Sequence, residues 1–179
     1  MPDKFIVITG GPSSGKSTLI GALARSGFAV APESGRQIIK EQVAAGGTAL
    51  PWADRSLFAE EMLKRDIETY RSFETVAGLV FFDRGILDVL GYLTLCGLPV
   101  PPHMRAAAVR YRYHPRVFIA PPWPDIFTQD AERKQTLDEA ERTYQMLART
   151  YSDAGCELVE VPRVSVEERA RFVRDRCAV

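Results

Sequence analysis

The most specific chemistry in the chain lies in eight residues, Gly10-Gly11-Pro12-Ser13-Ser14-Gly15-Lys16-Ser17. They fit G-x-x-x-x-G-K-[ST], the pattern of a phosphate-binding loop. Glycines let successive backbone N–H groups converge on an anion, and the start of the following helix adds the positive end of its dipole. The Lys16 ammonium then reaches the β- and γ-phosphates, and the Ser17 hydroxyl can hold Mg²⁺. A Gly/Ser turn before an ordinary helix would explain the glycines, but not Lys16 and Ser17 at the required offsets. Gly10 through Thr18 are therefore expected to surround ATP.

A triphosphate loop needs carboxylates near its metal and its acceptor. Asp83 ends the apolar run Leu79-Val80-Phe81-Phe82, where a charge is costly unless it faces a cation or a hydrogen-bond donor at the mouth of a sheet. It is read as the metal-side carboxylate beside Ser17, a role compatible with capping the helix that follows. Glu33 follows Pro32 after a second short apolar run, which brings it to the same edge as Lys16 and Asp83 if the two runs flank the first strand. There it could take the proton from a substrate hydroxyl as a general base. It could equally cap a helix or pair with Arg36 on the surface, and the residues alone leave the two readings even.

The cations comprise 18 Arg and only 5 Lys. Codon bias accounts for most of this, although Arg also gives bidentate contacts to phosphate and carboxylate that Lys cannot. Arg84, Asp88 and Tyr92 recur every four residues and suit a polar substrate, yet spacing alone favours a plain salt pair on a solvated face. Arg36 carries the same ambiguity; Arg36, Arg84 and Asp88 are retained as substrate-side candidates. Arg133 and Lys134 open a long helix after a Pro-bounded loop. A cationic helix start opposes the dipole, which points to a lid over about 121–135 whose Arg133 neutralises charge during transfer. The basic stretch Arg105, Arg110, Arg112 and Arg116, with His103 and His114, reads as a solvated face, with a phosphate-bearing or nucleic-acid partner as the alternative.

These groups need a scaffold that gathers them. Buried strands are expected at 4–9, 28–31, 78–83, 116–120 and 157–161, and helices at 16–25, 36–45, 54–75, 85–95, 103–112, 133–151 and 165–176, the last opened by a Ser165/Glu168 capping box. Five short apolar strands separated by helices indicate a parallel sheet covered on both faces, with ligands outside the carboxyl ends of its strands. The expectation is a three-layer α/β/α sandwich of the P-loop NTPase type, one domain over residues 1–179.

Composition bounds the function. With 23 basic and 23 acidic residues the net charge is zero, which argues against a nucleic-acid or membrane-surface binder. Three Cys without a C-x-x-C pair suit the reducing cytoplasm, two His are too few for a His-based metal site, and no apolar stretch approaches a membrane span.

The phosphate loop, Pro-Glu-Ser-Gly-Arg at 32–36, Leu-Pro-Trp at 50–52, Phe-Phe-Asp-Arg-Gly-Ile-Leu-Asp at 81–88, Asp-Ala-Glu-Arg-Lys-Gln at 130–135 and Val-Pro-Arg-Val-Ser-Val-Glu-Glu-Arg at 161–169 together resemble a known family. It is that of the small AAA-type ATPases related to the ribosylnicotinamide kinase domain of the bifunctional NAD-synthesis regulator. The resemblance spans about residues 4–176. It implies sheet order 2-3-1-4-5, an adenine pocket flanked by 161–164, and, through the more distant nucleoside and nucleotide kinases, Glu33 as base, Asp83 on the metal, Arg84 on substrate or phosphate and Arg133 as the lid cation. No N-K-x-D motif is present, and Asp83-Arg84-Gly85 is not D-x-x-G, so a Ras-like switch does not fit. The expected function is an ATP- and Mg²⁺-dependent kinase acting on a hydroxyl of a small nucleoside-like metabolite. The alternative is an ATP-binding or ATP-hydrolysing regulatory module without a small-molecule acceptor.

Overall fold

A computed structural model describes residues 2–126 and 136–177. After a 3-10 turn at Pro2–Lys4, the strands are β1 (Phe5–Gly10), β2 (Ala29–Ala31), β3 (Val80–Asp83), β4 (Arg116–Ala120) and β5 (Glu157–Glu160). The helices are α1 (Lys16–Arg25), α2 (Ser34–Ala45), α3 (Arg55–Ser72), α4 (Ile86–Leu95), α5 (Pro102–Arg110), α6 (Leu137–Asp153) and α7 (Val166–Cys177). All strand pairings are parallel and the order is β2-β3-β1-β4-β5, as expected.

Strand alternation builds the layers. Phe5 and Val7 join Val80, Phe82 and Val117 in a core with α3 to α6, whereas Ile6 and Ile8 join Phe81, Phe118 and residues of α1 and α7 on the opposite face. Both faces of β1, β3 and β4 are therefore apolar, which is why these runs read as continuous rather than alternating. β1 lies between β3 and β4, so the connections leave it in opposite directions and open a crevice at the carboxyl ends. The register pairs Ile8 with Asp83, which sets that carboxylate beside the exit of β1.

Most boundaries fall within one to three residues of those expected. The helix after β2 begins earlier, at Ser34, because Glu33 in an extended conformation (φ −65°, ψ 124°) takes the N-cap position. Both late helices open with reciprocal caps. Thr136 N–H donates to Glu139 Oε2 at 2.6 Å and Glu139 N–H to Thr136 Oγ1 at 3.2 Å. Ser165 and Glu168 repeat the arrangement at 3.2 and 3.3 Å. Of the expected lid, residues 121–126 are described and include a 3-10 turn at Pro124–Ile126; Arg133 and Lys134 lie outside the described residues, but they do not open the long helix as expected, because α6 starts at Leu137 with Thr136 as its N-cap and Asp138 and Glu139 in its first turn. No described helix is long and apolar enough to cross a membrane.

Candidate functional site

The turn from β1 to α1 is tight. Gly10 (φ 147°) passes so close to β4 that a Cβ would sit 2.6 Å from the Ala120 carbonyl oxygen, and Gly15 adopts a left-handed conformation (φ 77°) as the N-cap of α1. At Gly10 there is no room for a side chain, and at Gly15 glycine takes the left-handed conformation without the cost that a side chain carries. Ser14 Oγ donates to the Gly11 carbonyl at 2.9 Å and Thr18 Oγ1 to that of Gly15 at 2.8 Å, bracing the loop internally. Lys16 is the first residue of α1 and only 4% exposed, whereas Ser17 and Thr18 are exposed on the same turn.

A buried ammonium requires counter-charges. Lys16 forms an ion pair with Asp83, and Glu33 Oε2 lies 3.8 Å from its Nζ. Glu33 is shared, because its Oε1 is 3.3 Å from Arg84 Nε, while Arg84 Nη1 donates to Asp88 Oδ1 at 3.0 Å. Arg84 has a left-handed backbone (φ 74°), a costly conformation for a side chain of this size. Its backbone N–H donates to the Ile8 carbonyl at 3.0 Å, and the two carboxylates hold its guanidinium. Burial works against the Arg84 charge, but Glu33, Asp88 and Asp83 together outweigh it and raise its pKa.

Asp88 anchors this arrangement. Its carboxylate accepts from Thr9 Oγ1 at 2.5 Å, Tyr151 OH at 2.6 Å, Gly85 N–H at 2.9 Å and Arg84 Nη1 at 3.0 Å. Four donors come from β1, α6, the turn after β3 and Arg84, so one side chain ties Arg84 to three parts of the scaffold. The expected stripe is thus half regular: Arg84 precedes the helix, yet its i,i+4 pair with Asp88 forms, and Tyr92 faces the cleft described next.

A cleft of about 680 Å³ opens beside these groups. Glu33, Asp66, Arg84 and Asp88 give it a charged lining beside Pro12 of the phosphate loop; Ile39, Phe58, Met62, Tyr92, Met146 and Leu147 supply apolar walls, and Trp52, 61% exposed, sits at its rim. Arg36, although on the first turn of α2, is not among the residues lining it. Asp66, on α3, was not picked out from the sequence. Burial pushes its carboxyl up to about 7, with a hydrogen bond from Ser34 opposing and the charges of Asp88 and Glu33 adding to the rise. The signal was available, because Phe58, Met62, Asp66 and Tyr70 recur every four residues and set an acid in an apolar stripe.

Across the loop, Arg169 was also missed. It is 5% exposed and donates through Nη1 to the Gly15 carbonyl at 2.8 Å and through Nη2 to Thr18 Oγ1 at 3.2 Å. Its guanidinium lies 5.2 Å over the Trp123 ring. Nothing local distinguishes it among the four other arginines at 163–176, because its partners are about 150 residues away.

Of the expected residues, then, Lys16, Glu33, Asp83, Arg84 and Asp88 converge at one sheet edge. In the basic stretch, His103 Nε2 lies 3.0 Å from Glu60 and Arg116 Nε 3.1 Å from Glu157, while Arg105, Arg110 and Arg112 are exposed.

Solved structures share this architecture at low sequence identity. NadR protein in complex with NAD and AMP-PNP superposes with a TM-score of 0.73 at 20% identity, covering 98% of this chain and 50% of that one. Thymidylate kinase from Candida albicans gives 0.66 at 12% identity, covering 97% and 90%, and deoxyadenosine kinase from M. mycoides with bound dATP gives 0.57 at 13%, covering 98% and 100%. The chain spans about half the length of the NadR structures it matches. No curated protein matches its sequence. Residues 5–169, nearly the whole chain with both sides of the site, match the AAA domain family, and the chain belongs to that family.

Proposed function

We propose that the chain is a kinase that transfers the γ-phosphate of ATP to a hydroxyl of a small nucleoside-like metabolite. One observation carries this reading: the phosphate loop and a cleft of about 680 Å³ share a wall, with Pro12, Glu33 and Arg84 lining it. That volume suits a small molecule, and a protein that only hydrolyses ATP has no need of an acceptor chamber. Aromatic and aliphatic walls over a floor of carboxylates suit a flat ring joined to a polyol. The likeness to NadR in complex with NR and to deoxyadenosine kinase supports the nucleoside class.

The residues divide the work. Glu33 accepts the proton of the attacking hydroxyl, and Arg84, held by Asp88, binds the acceptor or the transferring phosphoryl group. The Lys16 ammonium exchanges Asp83 for the β- and γ-phosphates, which frees the Asp83 carboxylate. Asp83 and the exposed Ser17 hydroxyl are hard oxygen donors suited to Mg²⁺, which is commonly held by one or two protein ligands and the phosphates themselves. Among the described residues no cluster of three His, Cys, Asp or Glu side chains could hold a metal without such help. When bound, Mg²⁺ supplies neutralisation of the phosphate charge. Arg133 belongs to the proposal as a lid cation on the strength of the sequence alone.

The test is transfer from [γ-³²P]ATP to a panel of nucleosides, ribosylnicotinamide and sugars, with Lys16→Ala as blank. A labelled acceptor is expected. ATP hydrolysis without a labelled product from any acceptor overturns the kinase reading.

A further inference from the structure

The helix α3 runs the length of the cleft and changes character along the way. Arg55, Phe58, Met62 and Asp66 line the cleft from one stripe of that helix, at spacings of three, four and four residues. At 1.5 Å of rise per residue, the backbones of Arg55 and Asp66 are about 16 Å apart. Asp66 marks the catalytic end, because Ser34 hydrogen-bonds it and the charges of Asp88, Glu33 and Arg84 act on it. Arg55 therefore belongs to the opposite end, with Phe58 and Met62 between them.

The helix α4 gives the same order. Asp88 stands at the catalytic end, Tyr92 one turn further and Cys96 one turn beyond that, all lining the cleft. The Tyr92 ring meets Phe58 edge-on with centroids 5.5 Å apart, and the Arg55 charge acts on the Tyr92 hydroxyl, opposing the rise in pKa that burial causes. Two helices thus carry the cleft from carboxylates, across an aromatic pair, to a guanidinium. Glu139 and Arg142 also line it, but from the turn of α6 where the Ala140 carbonyl abuts Gly11, at the phosphate-loop end.

Helix stability does not explain Arg55. It stands in the first turn of α3, which holds no acidic residue, so its charge opposes the dipole. Asp54 before it serves as the N-cap, accepting from Leu57 N–H at 2.9 Å. Arg55 Nε donates to the Pro51 carbonyl at 3.1 Å, which orients the guanidinium. The planar fork of its nitrogens has the shape that a carboxylate or phosphate matches. A single guanidinium balances one negative charge, which suits a carboxylate better than a phosphate dianion.

We propose that Arg55 is the recognition site for a carboxylate that the acceptor carries at the end opposite its reacting hydroxyl. An acceptor that fills the cleft presents its hydroxyl to Glu33, its ring to the apolar stretch and its far end to Arg55. The assignment rests on the kinase reading above and adds to it the charge of the acceptor.

Two pairs of nucleosides isolate that group: ribosylnicotinate with ribosylnicotinamide, and 5-carboxyuridine with 5-carbamoyluridine. Within each pair a carboxylate replaces a carboxamide of nearly the same shape. Transfer from ATP and equilibrium binding are measured for all four with the unaltered protein, Arg55→Gln and Arg55→Lys. In at least one pair the carboxylate is expected to be favoured about tenfold or more in kcat/KM, through KM rather than kcat. Arg55→Gln should remove that preference by weakening the carboxylate alone, and Arg55→Lys should restore part of it. Arg55 is exposed, so an unchanged urea midpoint in both variants is expected to accompany the change in preference. Equal use of the two members of both pairs, a preference for the amide, a preference that survives Arg55→Gln, or no binding of any of the four overturns the site. If the carboxylates bind in an Arg55-dependent way and none is phosphorylated, the site stands and it is the kinase reading that falls.

Discussion

The two sides of the phosphate loop handle charge in opposite ways. On the acceptor side, Lys16 and Arg84 are embedded among Glu33, Asp83 and Asp88, and every contact is charge-assisted. On the far side, Arg169 rests on a carbonyl, a hydroxyl and an indole ring. A compensated cluster keeps side chains in place before substrate arrives, and an anion must displace a carboxylate to gain a cation. A cation without a carboxylate hydrogen-bond partner among the described residues instead gains its counter-charge from whatever binds. The acceptor side is thus built for geometry and the far side for affinity, and substitutions on the two sides should separate turnover from binding.

The largest expected effect tests the acceptor side. Glu33→Gln removes the proposed base but keeps nearly the same shape, and phosphotransfer should fall by about 10² to 10⁴-fold while ATP affinity changes little. Transfer that survives this substitution removes Glu33 from the mechanism. Asp88→Ala should come next, because it strips four donors of one acceptor and leaves the Arg84 guanidinium with Glu33 as its remaining carboxylate hydrogen-bond partner among the described residues. A loss of about 3 to 5 kcal/mol in urea unfolding is expected, accompanied by a fall in turnover. Tyr151→Phe, which removes one donor of the four, should cost about 1 kcal/mol.

Asp66 sharpens the contrast through pH. Its carboxyl is raised by burial from an ordinary value of 3.8 to about 7. Between those values the folded protein keeps a proton that the unfolded chain releases, so this group's contribution to stability is full below about pH 4 and is lost as the pH rises through about 7. Asp66→Asn cannot titrate and should flatten that part of the profile, measured as the thermal midpoint from pH 4 to 8. An unchanged slope would mean that the carboxyl is ionised in the folded state. Because Asp66 lines the cleft, acceptor KM should respond to pH over the same window, whereas the affinity for tripolyphosphate should not.

The fold and the acceptor side were largely legible in the sequence because their signals are local. Buried strands appear as apolar runs, and Asp83 stands out because it ends one. Lys16 is fixed by its offset from Gly15. Glu33 was ambiguous for a physical reason: a helix cap, a surface pair and a base all require an acid just after a strand, and only the approach of Lys16 and Arg84 separates them. Arg169 was invisible because it lies in an arginine-rich helix, and its burial arises from contacts with Gly15 and Thr18 at the other end of the chain. Asp66 was overlooked although its place in the Phe58, Met62, Tyr70 stripe marked it, since a single polar residue in a long amphipathic helix is easily assigned to the solvent side.

The smallest effect probes how firmly the far side is anchored. Ser165 and Glu168 cap α7 reciprocally, with Ser165 Oγ also donating to Glu168 Oε2 at 2.7 Å, and Arg169 is the next residue. Ser165→Ala removes that cap and should cost about 1 kcal/mol of stability, read from the urea midpoint. The turn that carries Arg169 would fray in part, so ATP affinity should fall severalfold, while kcat at saturating ATP stays within about twofold because Glu33, Arg84 and Asp88 rest on other elements. A comparable fall in kcat would mean that the loop transmits disorder from one side to the other, and the division between geometry and affinity would not hold.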